Sequence, residues 1–201
     1  MPLSKPVRRQ LLHTRQVQCQ GFERTDGLWD IEAHITDVKT HNVDNAERGG
    51  YVGAGEPFHD MWMRLTLDRS MHIHHVEAVI DASPFPHCPG IAGRFRQLEG
   101  TRIGPGWHRQ ARETFSGIQG CTHLHELLAP LATTAIQTLW PSEESEIMEL
   151  AANVMLDRCH GWSRHQELIR KYIPHLYVPA DTHVSDEQDS AIPDQSSRRH
   201  S

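Results

Sequence analysis

The stretch Leu28-Trp29-Asp30-Ile31-Glu32-Ala33-His34-Ile35-Thr36-Asp37-Val38-Lys39 decides the fold. Leu28, Asp30, Glu32, His34 and Thr36 fall on one side of an extended chain. Trp29, Ile31, Ala33, Ile35 and Asp37 fall on the other. A period of two with one mainly apolar side is the pattern of a half-buried β-strand. Immediately upstream, Leu12 to Arg24 alternates around Val17 and Cys19, and Thr25-Asp26-Gly27 separates the two runs. Gly tolerates the positive φ that a tight turn demands, so the two runs read as a β-hairpin.

Working outward, His59 to Leu67 predicts a third strand with Met61, Met63, Leu65 and Leu67 on its apolar side. A turn at Asp68 to Ser70 leads to a fourth strand over Met71 to Ala82, through Ile73, Val76, Val79 and Ile80. Short connections argue for an antiparallel sheet. His41 to Pro57, with Arg48-Gly49-Gly50 and Gly53-Ala54-Gly55, reads as a long loop. Trp29 and Trp62 read as core residues.

The period then changes. Ile91, Phe95 and Leu98 place a short helix over Pro89 to Leu98, ended by Gly100. A second helical segment follows Gly104-Pro105-Gly106 and runs to about Phe115. Thr122 to Trp140 reads as a long helix with Leu124, Leu127, Leu128, Leu131, Ala135 and Leu139 inward, and Pro130 should kink or split it. Pro141-Ser142-Glu143-Glu144 opens a helix to about Cys159, and a last short helix spans about Arg164 to Tyr172. Strands followed by helices make an α+β fold: a four-stranded antiparallel sheet and a helical half. The expected organisation is a flexible lead over 1–10, one domain over 11–178 and a polar, disordered tail over 179–201.

Bulk properties narrow the function. The chain has 201 residues, 37% of them hydrophobic, and a formal net charge of -6 at pH 7. That suits a core-bearing domain and gives no reason to expect a nucleic-acid partner. No apolar run approaches the roughly 20 residues of a membrane helix, and the basic start lacks the apolar segment of a signal peptide. The expected location is the cytoplasm, where Cys19, Cys88, Cys121 and Cys159 would be thiols or metal ligands rather than disulfides. The partner is open, a small molecule or a protein. Of 16 histidines, many, such as His72, His74 and His75, sit where a surface is expected.

Cys88 and Cys121 each precede a helical segment, where partial positive charge and free N–H groups favour a thiolate. Each alone also fits a small buried hydrophobe. Taken with His123, and with His59 or Asp60 as a fourth group, they form a candidate zinc or iron site. Without a metal, Cys121 as nucleophile and His123 or His59 as base would make a thiolate enzyme. A non-catalytic interaction module is the third reading. Asp30 and Glu32 share one strand face and could act as acid and base or bind a hard metal, although a solvated face accounts for them. Arg102, Arg109 and Arg112 fit a solvated surface better than an anion site.

Four strings carry a resemblance: Asp26-Gly27-Leu28-Trp29-Asp30-Ile31-Glu32, Asp81-Ala82-Ser83-Pro84, Ile103-Gly104-Pro105-Gly106-Trp107 and Gly120-Cys121-Thr122-His123-Leu124. With them the chain resembles a bacterial family of proteins of unknown function over roughly residues 5–178, which implies a shared fold and no activity. Residues 57–139 also resemble the U-type iron–sulfur cluster scaffolds. Asp60 with Met61-Trp62-Met63-Arg64-Leu65 resembles their strand start. Cys88-Pro89-Gly90-Ile91 resembles the second-ligand loop, Leu98-Glu99-Gly100 the helix-ending glycine, and Cys121 with Leu124 the last ligand and its helix. The first scaffold cysteine has no match here, Phe58 and His59 standing near its place. Gly120 replaces the histidine before the last cysteine. This resemblance implies the fold and a metal site, with Cys88 and Cys121 close in space.

Overall fold

A computed structural model describes residues 3–139, Met148, Ala152 and 155–180. The chain divides into two compact units, Met1–Ser142 and Glu143–Ser201. The single domain read over 11–178 spans both.

The first unit is built on strands β1 (His13–Glu23), β2 (Trp29–Lys39), β5 (Pro57–Leu67) and β6 (Ile73–Ala82), in the order β1-β2-β5-β6 with every pair antiparallel. Between β2 and β5 the sequence reads as loop, but a small hairpin forms, β3 (Val43–Asn45) against β4 (Gly50–Val52). Three-residue strands are too short to show a period, so alternation could not reveal them. A 3-10 turn, Ala46–Arg48, joins them, and Gly49 closes it at φ 82°.

β2, β5 and β6 each turn one side inward, while the edge strand β1 is exposed apart from the half-buried Cys19. Ile31, Ala33 and Ile35 from β2, Met61, Met63 and Leu65 from β5, and Ile73 and Val76 from β6 are essentially fully buried. The helices cover that side. Cys88–Leu98 winds as 3-10 turns and seats Ala92, Phe95 and Leu98. Such a run is uncommonly long for 3-10 geometry, and the i, i+4, i+7 stripe had predicted an α-helix. α1 (Trp107–Thr114) follows Gly106, which takes φ 87°. α2 (Thr122–Glu126) and α3 (Leu128–Thr138) replace the single long helix of the sequence reading. The break falls at Leu127, three residues before Pro130. Pro130 has no N–H to donate, and its ring crowds the carbonyl of residue 126, so the helix restarts.

α3 packs against β1 at Cys19 and closely at Gly21. A Cβ on Gly21 would lie 1.9 Å from Thr138 Oγ1, so a side chain there would push the helix away. Ile103-Gly104-Pro105-Gly106-Trp107 is a packing motif: Ile103 and Trp107 are buried, and Trp107 Nε1 donates to Thr101 Oγ1 at 3.1 Å.

In the second unit, α4 (Glu167–Tyr172) and the 3-10 turns His160–Trp162 and Pro174–Leu176 surround Ala152, Ile169 and Ile173. Arg164 Nε donates to Asp157 Oδ2 at 2.6 Å. The helix read from Pro141 to Cys159 lies mostly outside the described residues, as does the tail beyond 180. No described helix is long and apolar enough to cross a membrane.

Candidate functional site

The inward row of β2 ends in a carboxylate. After Ile31, Ala33 and Ile35 the next inward residue is Asp37, which is 3% exposed. The register places Arg15 of β1 opposite Asp37 on one side and His59 of β5 opposite it on the other. Arg15-Asp37-His59 is therefore a transverse row that closes the apolar face of the sheet with polar groups. α2 supplies His123, whose ring lies 3.8 Å from that of His59, centroid to centroid.

Asp37 is heavily satisfied. Its Oδ1 accepts from His13 Nε2 at 2.7 Å and Arg15 Nε at 2.9 Å. Its Oδ2 accepts from Arg15 Nη2 at 2.8 Å and His59 Nδ1 at 3.0 Å, and His123 Nε2 stands 3.7 Å away. Arg15 Nη1 reaches Glu126 Oε2 at 2.6 Å. Burial by itself would raise the Asp37 carboxyl, but hydrogen bonds from Arg15, His13 and His59 outweigh it and hold the group far below the carboxylate range. Both imidazoles titrate below the ordinary range. For His59 the cause is burial, then the neighbouring His123, with Asp37 opposing. For His123 it is burial, then Arg15, with Asp37 and Glu126 opposing. An ionised carboxylate beside two neutral imidazoles is thus the ground state near neutral pH.

One ligand atom from each of Asp37, His59 and His123 lies within 4.8 Å of the others. A tetrahedral ion with bonds of about 2.0–2.1 Å holds its ligand atoms about 3.3 Å apart. The Oδ2 separations of 3.0 and 3.7 Å bracket that spacing. Two imidazoles and a carboxylate are a donor set for zinc or non-haem iron. The Arg15 fork and His13 hold the carboxylate from behind, as outer groups of metal sites do.

The remaining residues singled out in the sequence are not members of this cluster. Cys121 is the N-cap of α2, with Sγ 3.9 Å from Met61 Sδ. Cys88 begins the 3-10 run after β6. Asp60 points to the other side of the sheet, where its Oδ1 is 2.6 Å from His34 Nε2. Neither metal-competent cluster among the described residues includes Cys88, Cys121 or Asp60. α2 has five residues, too few for the full dipole that the single long helix would have offered a thiolate. Asp30 is bonded to Thr66 and Arg24, and Glu32 to Arg64, so both are ion-paired groups of the outer face. Asp37, on which the cluster centres, is not among the residues singled out in the sequence. Its signal was a carboxylate standing in register on an otherwise apolar side. Gly120 sets α2 in place: a Cβ there would lie 2.4 Å from the Phe115 carbonyl oxygen.

A second Asp/His/His cluster, Asp68-His72-His74, occupies the β5–β6 turn. There Asp68 Oδ1 accepts from Ser70 N, Ser70 Oγ and His72 N, and Oδ2 is 2.7 Å from His74 Nε2.

The architecture is that of an α+β protein whose antiparallel sheet carries a buried histidine–carboxylate cluster at the end of its covered face. The chain belongs to the family described as "Protein of unknown function (DUF2889)", whose model matches residues 13–137. That span runs from the first residue of β1 to the last turn of α3 and includes every member of the cluster. No curated protein and no solved structure matches the chain.

Proposed function

We propose that this protein binds a transition-metal ion, zinc or iron, through Asp37, His59 and His123. The observation that carries the reading is Asp37 Oδ2 facing His59 Nδ1 and His123 Nε2 at near-tetrahedral spacing, with His13 and Arg15 Nε on Oδ1 and Arg15 Nη2 also on Oδ2. Both imidazoles titrate below the ordinary range, so a metal need not displace a cationic proton near pH 7; the His59 proton that faces Asp37 would move from Nδ1 to Nε2. Three protein ligands leave a position for water or substrate, the arrangement of catalytic rather than structural sites. His123 is only partly buried, which gives that position access to solvent. The ligand set differs from the Cys88, Cys121 and His123 set with His59 or Asp60, and contains no thiolate. Iron–sulfur cluster assembly therefore gains no support from it.

A second reading has its own observation. The Arg15 fork and His59 Nδ1 saturate Oδ2. Without a metal, Asp37 would orient His59 as a general base, as carboxylates do in His-dependent enzymes.

The test is metal content of the untagged full chain by plasma mass spectrometry, followed by zinc titration against a chromophoric competitor. About one ion per chain is expected, lost in His59→Ala and His123→Ala and kept in the Cys88→Ser, Cys121→Ser double variant. A protein that is folded, metal-free and unable to take zinc would overturn the proposal and leave the His59 base. Loss of metal in the cysteine variant alone would assign the ion to the thiolates instead.

A further inference from the structure

Trp62 reads as a core residue, but it lies on the solvent side of the sheet at 40% exposure. β5 alternates strictly: Met61 and Met63 point into the core, so Trp62 must point out. Its neighbour across β2 is His34, and the two rings stack at 3.6 Å with 6° between planes. His34 is itself fixed by Asp60 at 2.6 Å. One face of the indole is thereby covered, and the ring is held upright. Its other face turns toward β6, where Val79 is the register partner.

On that side lies an open-sided pocket of about 290 Å³ lined by Trp62, Val79, Glu32, Arg64, Glu77 and Asp81. Three carboxylates there face a single guanidinium, and Arg64 is already shared between Glu32 at 2.8 Å and Glu77 at 3.0 Å. The Asp81 side chain has no hydrogen bond or ion pair among the described residues. The pocket therefore combines a rigid indole wall, an aliphatic wall and an excess of negative charge with one uncommitted carboxylate. An anion would meet repulsion there. A neutral apolar molecule would use the walls and leave Asp81 unanswered. An organic cation answers all three features, because an ammonium group over an indole face is attracted by the ring quadrupole.

We propose that this pocket binds a small organic cation, an alkylated ammonium group, between Trp62 and Val79 with Asp81 as its counter-charge. The site lies on the solvent face of the sheet and is independent of the Asp37 cluster on the covered face. Its ammonium group could come from a free amine or from a lysine side chain, and the probes separate the two.

The test follows the indole N–H resonances of the full chain by nuclear magnetic resonance, Trp62 being identified by its loss in Trp62→Phe. Choline is titrated beside its neutral carbon isostere, 3,3-dimethylbutan-1-ol, and beside Nα-acetyl-lysine amide. The expected result is a saturable shift of the Trp62 signal with a cation and little shift with the isostere. Asp81→Asn should weaken the cation's binding by about threefold. Tighter choline binding would assign a free quaternary amine, and tighter binding of the lysine compound a protein-borne side chain. No saturable shift, or an equal shift with the neutral isostere, would overturn the proposal. So would an unchanged affinity in Asp81→Asn with the other indole signals in place.

Discussion

Two clusters in this molecule have the same composition, one aspartate and two histidines within 4.8 Å, and differ in every other respect. Asp37, His59 and His123 come from two strands and a helix and meet at the covered end of the sheet. Asp68, His72 and His74 come from one turn and the strand that follows it. Asp68 is drawn well below its ordinary range first by the Ser70 hydroxyl, with His74 and backbone N–H groups adding, while burial opposes. It is doing the work of an Asx turn, which its sequence neighbours account for. No local turn accounts for Asp37. A carboxylate at 3% exposure is retained through partners brought from distant parts of the chain. Proximity along the chain explains the Asp68 cluster, whereas the Asp37 cluster owes its proximity to folding alone.

That contrast can be broken most directly through zinc. Asp37→Asn, His59→Ala and His123→Ala should each weaken zinc binding by more than about 100-fold, beyond what outer-group changes produce. Asp68→Asn and His74→Ala should leave it within about twofold, by the additivity of distant sites. Equal losses from both clusters in competitor titrations would erase the distinction.

Stability should separate them next. Asp37→Ala leaves Arg15 without its carboxylate fork, and we expect a loss of about 2–3 kcal/mol in urea unfolding, moderated by the partial exposure of Arg15. Asp68→Ala should cost about 1 kcal/mol, the scale of ordinary turn hydrogen bonds. Gly120→Ala tests the scaffold behind the buried cluster. The added methyl meets the backbone at Phe115, and a loss of about 1–3 kcal/mol is expected, with zinc affinity falling in parallel as α2 shifts.

Acid gives the smallest and most graded effect. In metal-free protein His59 and His123 have folded values below their unfolded ones, so the unfolded chain takes up protons first. Stability should fall as pH drops through about 6.5, the ordinary imidazole value. Asp37 also has a depressed folded value, so its contribution is present above about pH 4 and is lost as pH falls further. Chemical denaturation across this range should show two declines, and the His59→Ala, His123→Ala pair should flatten the upper one. An upper decline that survives in that variant would place its origin in other histidines.

Much of the fold was legible because it rests on short-range rules. Period two in β2 and β5 gave both strands and their faces, and Gly27 at φ 83° ended the first hairpin where the turn residues predicted. Pro130 announced the break between α2 and α3. The hairpin β3–β4 and the 3-10 winding of Cys88–Leu98 were hidden, since neither has a period that separates it from its alternatives. Trp62 is apolar by residue type, yet strand parity between the buried Met61 and Met63 turns it to solvent.

By itself the sequence determined the α+β class, the antiparallel sheet and the inward side of each central strand, all set by neighbours within a few residues. It also placed Asp37 on the apolar side of β2, though with nothing to say why. Tertiary structure decided the rest. Registers across β1, β2 and β5 aligned Arg15, Asp37 and His59, and the restart of the helix at Leu127 left a short α2 that brings His123 to them. Register and helix placement depend on packing between distant segments, and no local pattern encodes which distant residues will share a row.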